Sequence, residues 1–313
     1  MSRFLITGGA GFIGSNLAEA ITARGDSVVI LDNFSTGKRE NLAMFDGRVD
    51  IIEGTITDIE DCHRAIMGCD YVLHQAALAS VPRSVADPAA TNEANINGTL
   101  NMLIAARDAG VKRFVFAASS SAYGDAPVPV KTEDLTPAPL SPYAIQKYTG
   151  EMYCKAFYDL YGLETVALRY FNVFGPRQDP KSQYAAVVPL FVTTILKGES
   201  PTIYGDGDQA RDFTYIENVV QGNLCACTAP KEAAGQVFNT ACGTQTSVND
   251  LAKMIMEVLG VTVPITYAPD RVGDVKDSLA DISKAERLLG YKPAVHFREG
   301  LERAIEWYKN KEN

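Results

Sequence analysis

A glycine-rich loop near the N-terminus constrains the fold of this chain more than any other feature. The loop Thr7–Gly14 follows a short apolar stretch and opens a helical pattern over Phe12–Arg24. Its spaced glycines, Gly8, Gly11 and Gly14, permit a tight turn, leave room for a pyrophosphate and let the helix pack on the strand. A strand, a glycine loop and a helix in this order predict a dinucleotide-binding unit.

An acidic side chain ends the next predicted strand, Val28–Asp32, about 20 residues after the loop. The carboxylate of Asp32 can accept hydrogen bonds from both ribose hydroxyls of an adenosine, and it would repel a 2′-phosphate. The sequence therefore favours NAD over NADP as the cofactor. Lys38 and Arg39 lie close by, and they weaken this preference unless they are solvated charges of a turn.

Short strands alternate with helices through the first half of the chain. Strands are predicted at Arg3–Thr7, Val28–Asp32, Asp50–Glu53, Tyr71–His74, Phe114–Ala118 and Thr165–Arg169, and helices at Phe12–Arg24, Ile59–Met67, Asn92–Ala109 and Pro142–Tyr161. This alternation predicts an α/β protein with a Rossmann-type, doubly wound parallel sheet. We expect an NAD-binding domain over residues 1–175.

The pattern is less regular beyond residue 175. Amphipathic helices are predicted at Val248–Leu259, Ile282–Leu289 and Phe297–Asn310, with turns and short strands between the other segments. We expect residues 176–313 to form mainly a smaller α/β lobe that binds the substrate, and the chain can return from it to the first domain.

Charge and composition exclude several classes of partner. The formal net charge is -9 at pH 7, so most of the surface would repel nucleic acid or an anionic membrane. The sequence shows neither a secretory signal nor an apolar run of about 20 residues, so the cytoplasm is expected. The six cysteines and three histidines have no metal-ligand spacing, and no metal site is expected.

A tyrosine and a lysine are predicted to form a catalytic acid/base pair. Tyr143 and Lys147 stand at i and i+4 after the helix-entry sequence Ser141-Pro142, so they share one helical face. A neighbouring ammonium and a positive nicotinamide ring would both lower the pKa of the phenol. The serine run Ser119–Gly124 follows a predicted strand, which places its hydroxyls at the carboxyl edge of the sheet. We expect Ser119, Tyr143 and Lys147 to be catalytic.

These motifs, taken together, resemble those of the extended short-chain dehydrogenase/reductases, in the nucleotide-sugar epimerase/dehydratase branch. The resemblance runs almost end to end and also includes Asp58-Ile59, His74–Ala77, Arg169–Gly175, Arg211–Phe213 and Arg271–Asp274. It implies an enzyme that binds NAD and a UDP-sugar. The family tendency is a homodimer formed through the helices Asn92–Ala109 and Pro142–Tyr161.

The resemblance also assigns residues to the two ligands. It implies that NAD is held by Gly8, Gly11, Phe12, Ile13, Gly14, Asp32, Asn33, Gly37, Asp58, Ile59, Gln75, Ala76, Ala77, Tyr143, Lys147 and Tyr170. It implies that the UDP-sugar is held by Ala79, Ser80, Ser120, Ser121, Asn172, Gln178, Ala186, Val187, Tyr204, Arg211, Arg271, Asp274 and Ser278. In this scheme Arg211 and Arg271 clamp the diphosphate, and Tyr204 stacks near the uracil.

The two residues after Ser119 distinguish reactions within this branch. Sugar 4,6-dehydratases carry Asp-Glu there, whereas this chain carries Ser120-Ser121. The chain therefore lacks the acidic pair that elimination of water needs. The resemblance favours 4-epimerisation through a 4-keto sugar, with NAD reduced and then regenerated.

The predicted sugar pocket is closest to that of bacterial UDP-N-acetylglucosamine 4-epimerases. Its members here are Ala79, Ser80, Asn172, Gln178, Ala186 and Ser278. Ser278 is small enough to admit an N-acetyl group, although Ala79 replaces a common glycine and tightens the opposite side. UDP-GlcNAc and UDP-GalNAc are therefore the preferred substrates. A 4-epimerase of UDP-glucose/UDP-galactose or UDP-glucuronate, and an idle NAD or nucleotide-sugar sensor, remain as alternatives.

Overall fold

Among residues 1–180, 186–269 and 277–312, which the computed structural model describes, strands and helices alternate. The strands are β1 (Arg3–Thr7), β2 (Ser27–Asp32), β3 (Asp50–Glu53), β4 (Tyr71–His74), β5 (Arg113–Ser119), β6 (Thr165–Tyr170), β7 (Val173–Phe174), β8 (Thr202–Tyr204), β9 (Ala210–Arg211), β10 (Thr214–Tyr215), β11 (Gln236–Thr240), β12 (Thr246–Ser247), β13 (Thr266–Ala268) and β14 (Asp277–Ser278). The helices are α1 (Phe12–Ala23), α2 (Ile59–Ile66), α3 (Val81–Ala86), α4 (Pro88–Asn92), α5 (Gly98–Ala109), α6 (Pro142–Tyr161), α7 (Val187–Leu196), α8 (Ile216–Thr228), α9 (Val248–Leu259), α10 (Ser283–Leu289) and α11 (Phe297–Glu312). Short 3₁₀ turns cover Arg39–Phe45, Ser120–Tyr123 and Lys231–Ala233, and a π-helical turn covers Glu93–Asn97.

Seven of the described strands form one sheet, in the order β11-β6-β5-β4-β1-β2-β3. All neighbouring strands in it run parallel. The order reverses beside β1, because β2 and β3 lie on one side of it and β4 to β6 on the other. Ligands of open parallel sheets bind at such a reversal, outside the carboxyl ends of the strands. The predicted Rossmann-type, doubly wound α/β fold is confirmed.

Alternate residues of the central strands pack against opposite layers of helices. On β1, Phe4 and Ile6 belong to a hydrophobic cluster that includes residues of α1 and α8. Leu5, between them, belongs to a second cluster with residues of α2, α5 and α6. Strands buried on both faces need nearly continuous apolar sequences, which explains why β1 carries Phe4, Leu5 and Ile6 in succession.

The edge strand β11 comes from far beyond residue 175. It pairs in parallel with β6, and Asn239 lies opposite Arg169 in this pairing. The chain therefore does return to the first sheet, as the sequence had left open. The small sheets β12-β9-β14, β10-β7 and β13-β8 lie outside this large sheet. The domain boundary at residue 175 stays a prediction.

The predicted elements agree with the structure to within two residues at their ends, with one exception. The predicted helix Asn92–Ala109 begins with the π-helical turn Glu93–Asn97, and only then continues as α5. Within this turn, the Asn95 side chain accepts a hydrogen bond from the Leu78 amide at 2.8 Å and donates one to Gln146 at 2.8 Å. Apolar spacing alone does not reveal a wider turn that serves such polar contacts.

A buried ion pair joins the long helix α6 to strand β6. Arg169 donates to both carboxylate oxygens of Glu151, at 2.8 and 2.7 Å, and each side chain is only 3% exposed. The guanidinium also lies over the ring of Tyr123, 4.5 Å from its centroid. Because both charges are desolvated, neither can lose its partner without a large penalty.

We predict that Glu151→Ala lowers the free energy of unfolding by about 3–5 kcal/mol, because it leaves the Arg169 charge buried without its partner. Urea-induced unfolding, followed by circular dichroism, measures this change. On the same helix, Asp159→Ala breaks the exposed Lys155–Asp159 pair and should cost no more than about 0.5 kcal/mol. Equal losses of unfolding free energy in the two variants would contradict the claim that burial makes the Glu151–Arg169 pair important for stability.

Candidate active site

The glycine loop packs so tightly that Gly8 and Gly14 have no room for a Cβ. Gly8 has a φ of +68°, and a Cβ there would come within 2.9 Å of the Ala76 backbone. A Cβ at Gly14 would overlap the carbonyl oxygen of Gly8. Gly11 is the N-cap of α1, and no side chain caps this end of the helix. The amide groups of the first turn are therefore available to an anion such as a pyrophosphate.

Asp32 stands beside this loop at the end of β2. Its carboxylate accepts hydrogen bonds from the Ala10 amide at 2.9 Å and the Phe34 amide at 2.8 Å. Gly37 packs against it, since a Cβ at that position would lie 2.8 Å from a carboxylate oxygen. The backbone therefore fixes the orientation of the carboxylate that the sequence predicts to bind the adenosine ribose.

The two nearby cations are each paired with a carboxylate. Lys38 lies 3.0 Å from Asp179, and Arg39 lies 2.6 Å from Glu53. The Arg39 guanidinium also stacks over the ring of Phe34, 3.9 Å from its centroid. Their charges are offset locally, so the reservation that they raised against NAD loses weight.

The remaining predicted cofactor residues follow strand ends or begin helices. Phe12 and Ile13 open α1, Asp58 caps and Ile59 opens α2, Asn33 follows β2, and Gln75, Ala76 and Ala77 follow β4. Tyr170 ends β6, and its hydroxyl group donates to Gln75 at 3.2 Å. Asn223 of α8, which the sequence analysis did not identify, donates to the same hydroxyl at 2.8 Å.

A buried histidine ties the cofactor edge together. His74 bonds Thr7 through Nδ1 at 2.8 Å and Thr99 through Nε2 at 3.0 Å. Complete burial and, to a smaller extent, the charge of Lys147 together lower the pKa of His74 to about 3, so the ring is neutral. Thr7 also accepts the Ala76 amide at 3.1 Å. His74 therefore connects β1, β4 and α5 as a structural group.

Helix α6 presents the predicted reacting pair. Ser141 caps the helix by accepting the Ala144 amide at 3.2 Å, and Pro142 occupies its first turn. Lys147, 4% exposed, donates to the Ala117 carbonyl at 2.7 Å. Its burial lowers the pKa of Lys147 to about 8, so most of the group is cationic at neutral pH.

The phenol of Tyr143 does not have the pKa that the sequence analysis expects from its protein surroundings. Burial raises the pKa of Tyr143, and the interaction with the Ser119 hydroxyl lowers it by a smaller amount. The ammonium of Lys147 is directed to Ala117. The predicted lowering therefore does not come from Lys147 within this arrangement, and Ser119 is the group that stabilises the phenolate directly.

The serine turn is held by its own hydroxyls. Ser119 accepts the Ser121 amide at 3.2 Å and the Ser121 hydroxyl at 2.9 Å. Ser120 and Ser121 form the start of the 3₁₀ turn that ends at Tyr123. The turn places Ser119 at the carboxyl edge of β5, beside the phenol of Tyr143.

Three of the predicted substrate residues, Asn172, Arg211 and Ser278, lie close together. Asn172, with a φ of +33°, donates to the carbonyl of Asp212 and to the hydroxyl of Ser278, both at 3.1 Å. Ser278 on β14 pairs with Arg211 on β9. Gln178 has a buried Oε1 for which no hydrogen-bond partner is found among the described residues.

The other predicted substrate residues are spread over three elements. Ser80 caps α3 just after Ala79, Ala186 and Val187 begin α7, and Tyr204 ends β8. Arg271 and Asp274 lie outside the described residues.

The described residues contain neither a membrane-spanning helix nor a cluster of metal ligands. None of the helices there combines the length and apolarity needed to cross a membrane. The same residues contain no group of three or more His, Cys, Asp and Glu side chains that could hold a metal ion.

A glycine loop that follows the first strand of a parallel sheet and opens a helix, at the point where the strand order reverses, is typical of a dinucleotide-dependent enzyme of the Rossmann type. The family model described as "NAD dependent epimerase/dehydratase family" matches residues 4–241. The chain belongs to this family, whose cofactor is NAD.

Similar proteins have several different substrates in their names. A "Putative UDP-glucose 4-epimerase" of Methanocaldococcus jannaschii is 38% identical over 98% of both chains. The structure of a UDP-N-acetylglucosamine 4-epimerase of Methanobrevibacter ruminantium, with UDP-N-acetylmuramic acid, superposes with a TM-score of 0.94 at 42% identity, covering 99% of each chain. The structure of a UDP-glucuronic acid 4-epimerase of Bacillus cereus, solved with NAD, superposes with a TM-score of 0.91 at 33% identity and covers 99% of each chain.

We predict that Gly14→Ala abolishes the retention of NAD, because the added Cβ would overlap the Gly8 carbonyl and push the loop off the helix. Absorbance of the cofactor released from the purified, denatured protein measures retention. The matched control is Gly260→Ala, at the end of α9 with open space around the Cβ. The control should lose about 1 kcal/mol of stability and keep NAD. Full NAD content in Gly14→Ala would refute this role of the loop.

Proposed function

We propose that this protein is a UDP-sugar 4-epimerase that interconverts UDP-GlcNAc and UDP-GalNAc. The observation that carries the proposal is the contact between Ser119 and Tyr143, with the cationic Lys147 one helical turn further along α6. A hydroxyl donor, a phenol and an ammonium at one sheet edge suit reversible proton transfer at a sugar hydroxyl.

The residues divide this reaction between them. Tyr143 removes the proton from the 4-hydroxyl and later returns it, while Ser119 hydrogen-bonds the same sugar oxygen. When bound, NAD would supply a reversible acceptor for the C4 hydride. Lys147, held by the Ala117 carbonyl, supplies a positive charge one helical turn beyond Tyr143 at neutral pH, while the hydrogen bond with Ser119 lowers the pKa of the phenol directly.

Epimerisation is preferred to dehydration because Ser120 and Ser121 offer no carboxylate. Ser121 uses both its amide and its hydroxyl to hold Ser119, so it supports the proton-transfer group. Elimination of water needs a further acid and base at the neighbouring carbons, and the serine turn does not provide them.

An N-acetylated sugar is favoured by the small side of the pocket at Ser278. Its hydroxyl is bonded to Asn172 at 3.1 Å, so these two predicted sugar-binding residues lie together. UDP-glucose is the second candidate, since the Methanocaldococcus jannaschii relative carries that substrate in its name. UDP-glucuronate is the third candidate substrate. The complete Ser-Tyr-Lys set argues against a catalytically idle sensor of NAD or nucleotide-sugars. A cytoplasmic location and a homodimer stay predictions from the sequence.

We predict that Tyr143→Phe lowers kcat by about 10²–10⁴-fold, the range found for positioned acid/base groups, while NAD and UDP still bind. Chromatographic separation of the C4 epimers, after incubation with each UDP-sugar, measures turnover. Tyr161→Phe makes the same change at the exposed end of α6 and should remain active. Near-normal turnover in Tyr143→Phe would exclude Tyr143 as the acid/base. If the wild type turned over neither UDP-GlcNAc nor UDP-GalNAc, the preferred substrates would be excluded.

We predict that Ser278→Tyr lowers kcat/KM for UDP-GlcNAc by about 100-fold and for UDP-glucose much less, because the bulky ring takes the space of the N-acetyl group. Competition between the two substrates in one reaction measures the ratio. Ser278→Ala loses the hydrogen bond with Asn172 but stays small, so it should keep the wild-type ratio. An unchanged ratio in Ser278→Tyr would place the N-acetyl group elsewhere.

A further inference from the structure

Asp212 is a buried carboxylate that no step of the proposed reaction uses. It lies between Arg211 and Phe213, with a relative exposure of 0%. Its Oδ1 accepts the Cys242 amide at 2.9 Å, and its Oδ2 accepts the Gly243 amide at 2.9 Å and the Ala280 amide at 3.3 Å. The carboxylate therefore binds backbone groups of two separate chain segments.

The main chain of Asp212 binds two more groups. Its amide donates to the Ser278 carbonyl at 2.8 Å, and its carbonyl accepts the Asn172 side chain at 3.1 Å. The preceding residue, Arg211, pairs with Ser278 between β9 and β14. Asp212 thus contacts or adjoins Asn172, Arg211 and Ser278, which come from distant parts of the chain.

A carboxylate at this position is costly for stability. Burial raises the pKa of Asp212 to about 6, and the backbone amides act against that rise. At neutral pH the group is therefore mostly charged, although it is fully desolvated. A residue that only filled space would avoid this cost. A carboxylate provides two acceptor oxygens in a fixed geometry, which is what three amides from two loops need.

We propose that Asp212 is a positioning residue that holds Asn172, Arg211 and Ser278 in the arrangement that binds the nucleotide diphosphate and the adjoining sugar. This inference rests on the proposed function, which supplies the ligand. It assigns Asp212 to substrate affinity and leaves the chemical step to Ser119, Tyr143 and Lys147. Because Asp212 acts through other residues, its loss should weaken binding more than turnover.

The test is Asp212→Asn in the full chain with NAD bound. The amide nitrogen of asparagine cannot accept a hydrogen bond, so it faces at least one of the three backbone amides as a second donor and weakens the link between the two loops. We expect the Kd for UDP, measured by calorimetry, to rise about tenfold, the effect of disturbing one charge-assisted hydrogen bond. KM for the UDP-sugar should rise equally, kcat should change less than about threefold, and NAD content should stay at the wild-type level.

Asp281→Asn is the matched control on the same segment. Its carboxylate accepts the Ser283 amide at 2.8 Å near the start of α10, away from the three substrate residues. This variant should lose stability without any change in the Kd for UDP. A similar rise in Kd in both variants would overturn the inference, because it would show a general effect of loosening the segment.

A wild-type Kd and KM in folded Asp212→Asn would also overturn the inference, as would a loss confined to kcat. Asp212→Glu retains the charge and displaces the oxygens by one methylene, so it gives the same readout if Asp212→Asn does not fold. It should raise the Kd for UDP at unchanged NAD content, and a wild-type Kd there would equally refute the proposal. Failure of the wild type to bind UDP would instead refute the proposed function.

Discussion

The carboxyl ends of the parallel strands meet at one edge of the sheet, and every part of the candidate site depends on this arrangement. The glycine loop follows β1, Asp32 ends β2, Gln75 follows β4, Ser119 ends β5 and Tyr170 ends β6. The strand order reverses beside β1, and ligands of open parallel sheets bind in the crevice at such a reversal. One topological feature thus collects residues that are far apart in the sequence.

Burial then determines the charge state of the groups at this edge. It keeps His74 neutral, with a pKa of about 3, and brings the pKa of Lys147 down to about 8. Burial also raises the pKa of Tyr143, against the effect of Ser119. The neutral imidazole can therefore connect two threonines inside the sheet, while Lys147 remains the cation beside the phenol. Structural and reacting groups share one buried region but differ in charge.

The sequence was sufficient to predict features that depend on local spacing. The glycine loop, the sheet strands of the first half and the i,i+4 placement of Tyr143 and Lys147 follow from residue types and periodicity alone. Contacts between distant segments could not be predicted in this way. The addition of β11 to the sheet, the acidic partners of Lys38 and Arg39, and the amides gathered by Asp212 all depend on tertiary packing. The direction in which the Lys147 ammonium points, to the Ala117 carbonyl, is likewise not encoded in its spacing from Tyr143.

The central claim is that the hydrogen at C4 of a UDP-sugar leaves and returns within one closed site. Incubation of the purified protein with UDP-GlcNAc that carries deuterium at C4 tests it most directly, with mass spectrometry and NMR of the UDP-GalNAc formed. The account predicts that the deuterium is retained at C4 of the product in ordinary water. Its replacement by solvent hydrogen would contradict the account, because it would show that C4 exchanges a proton with water.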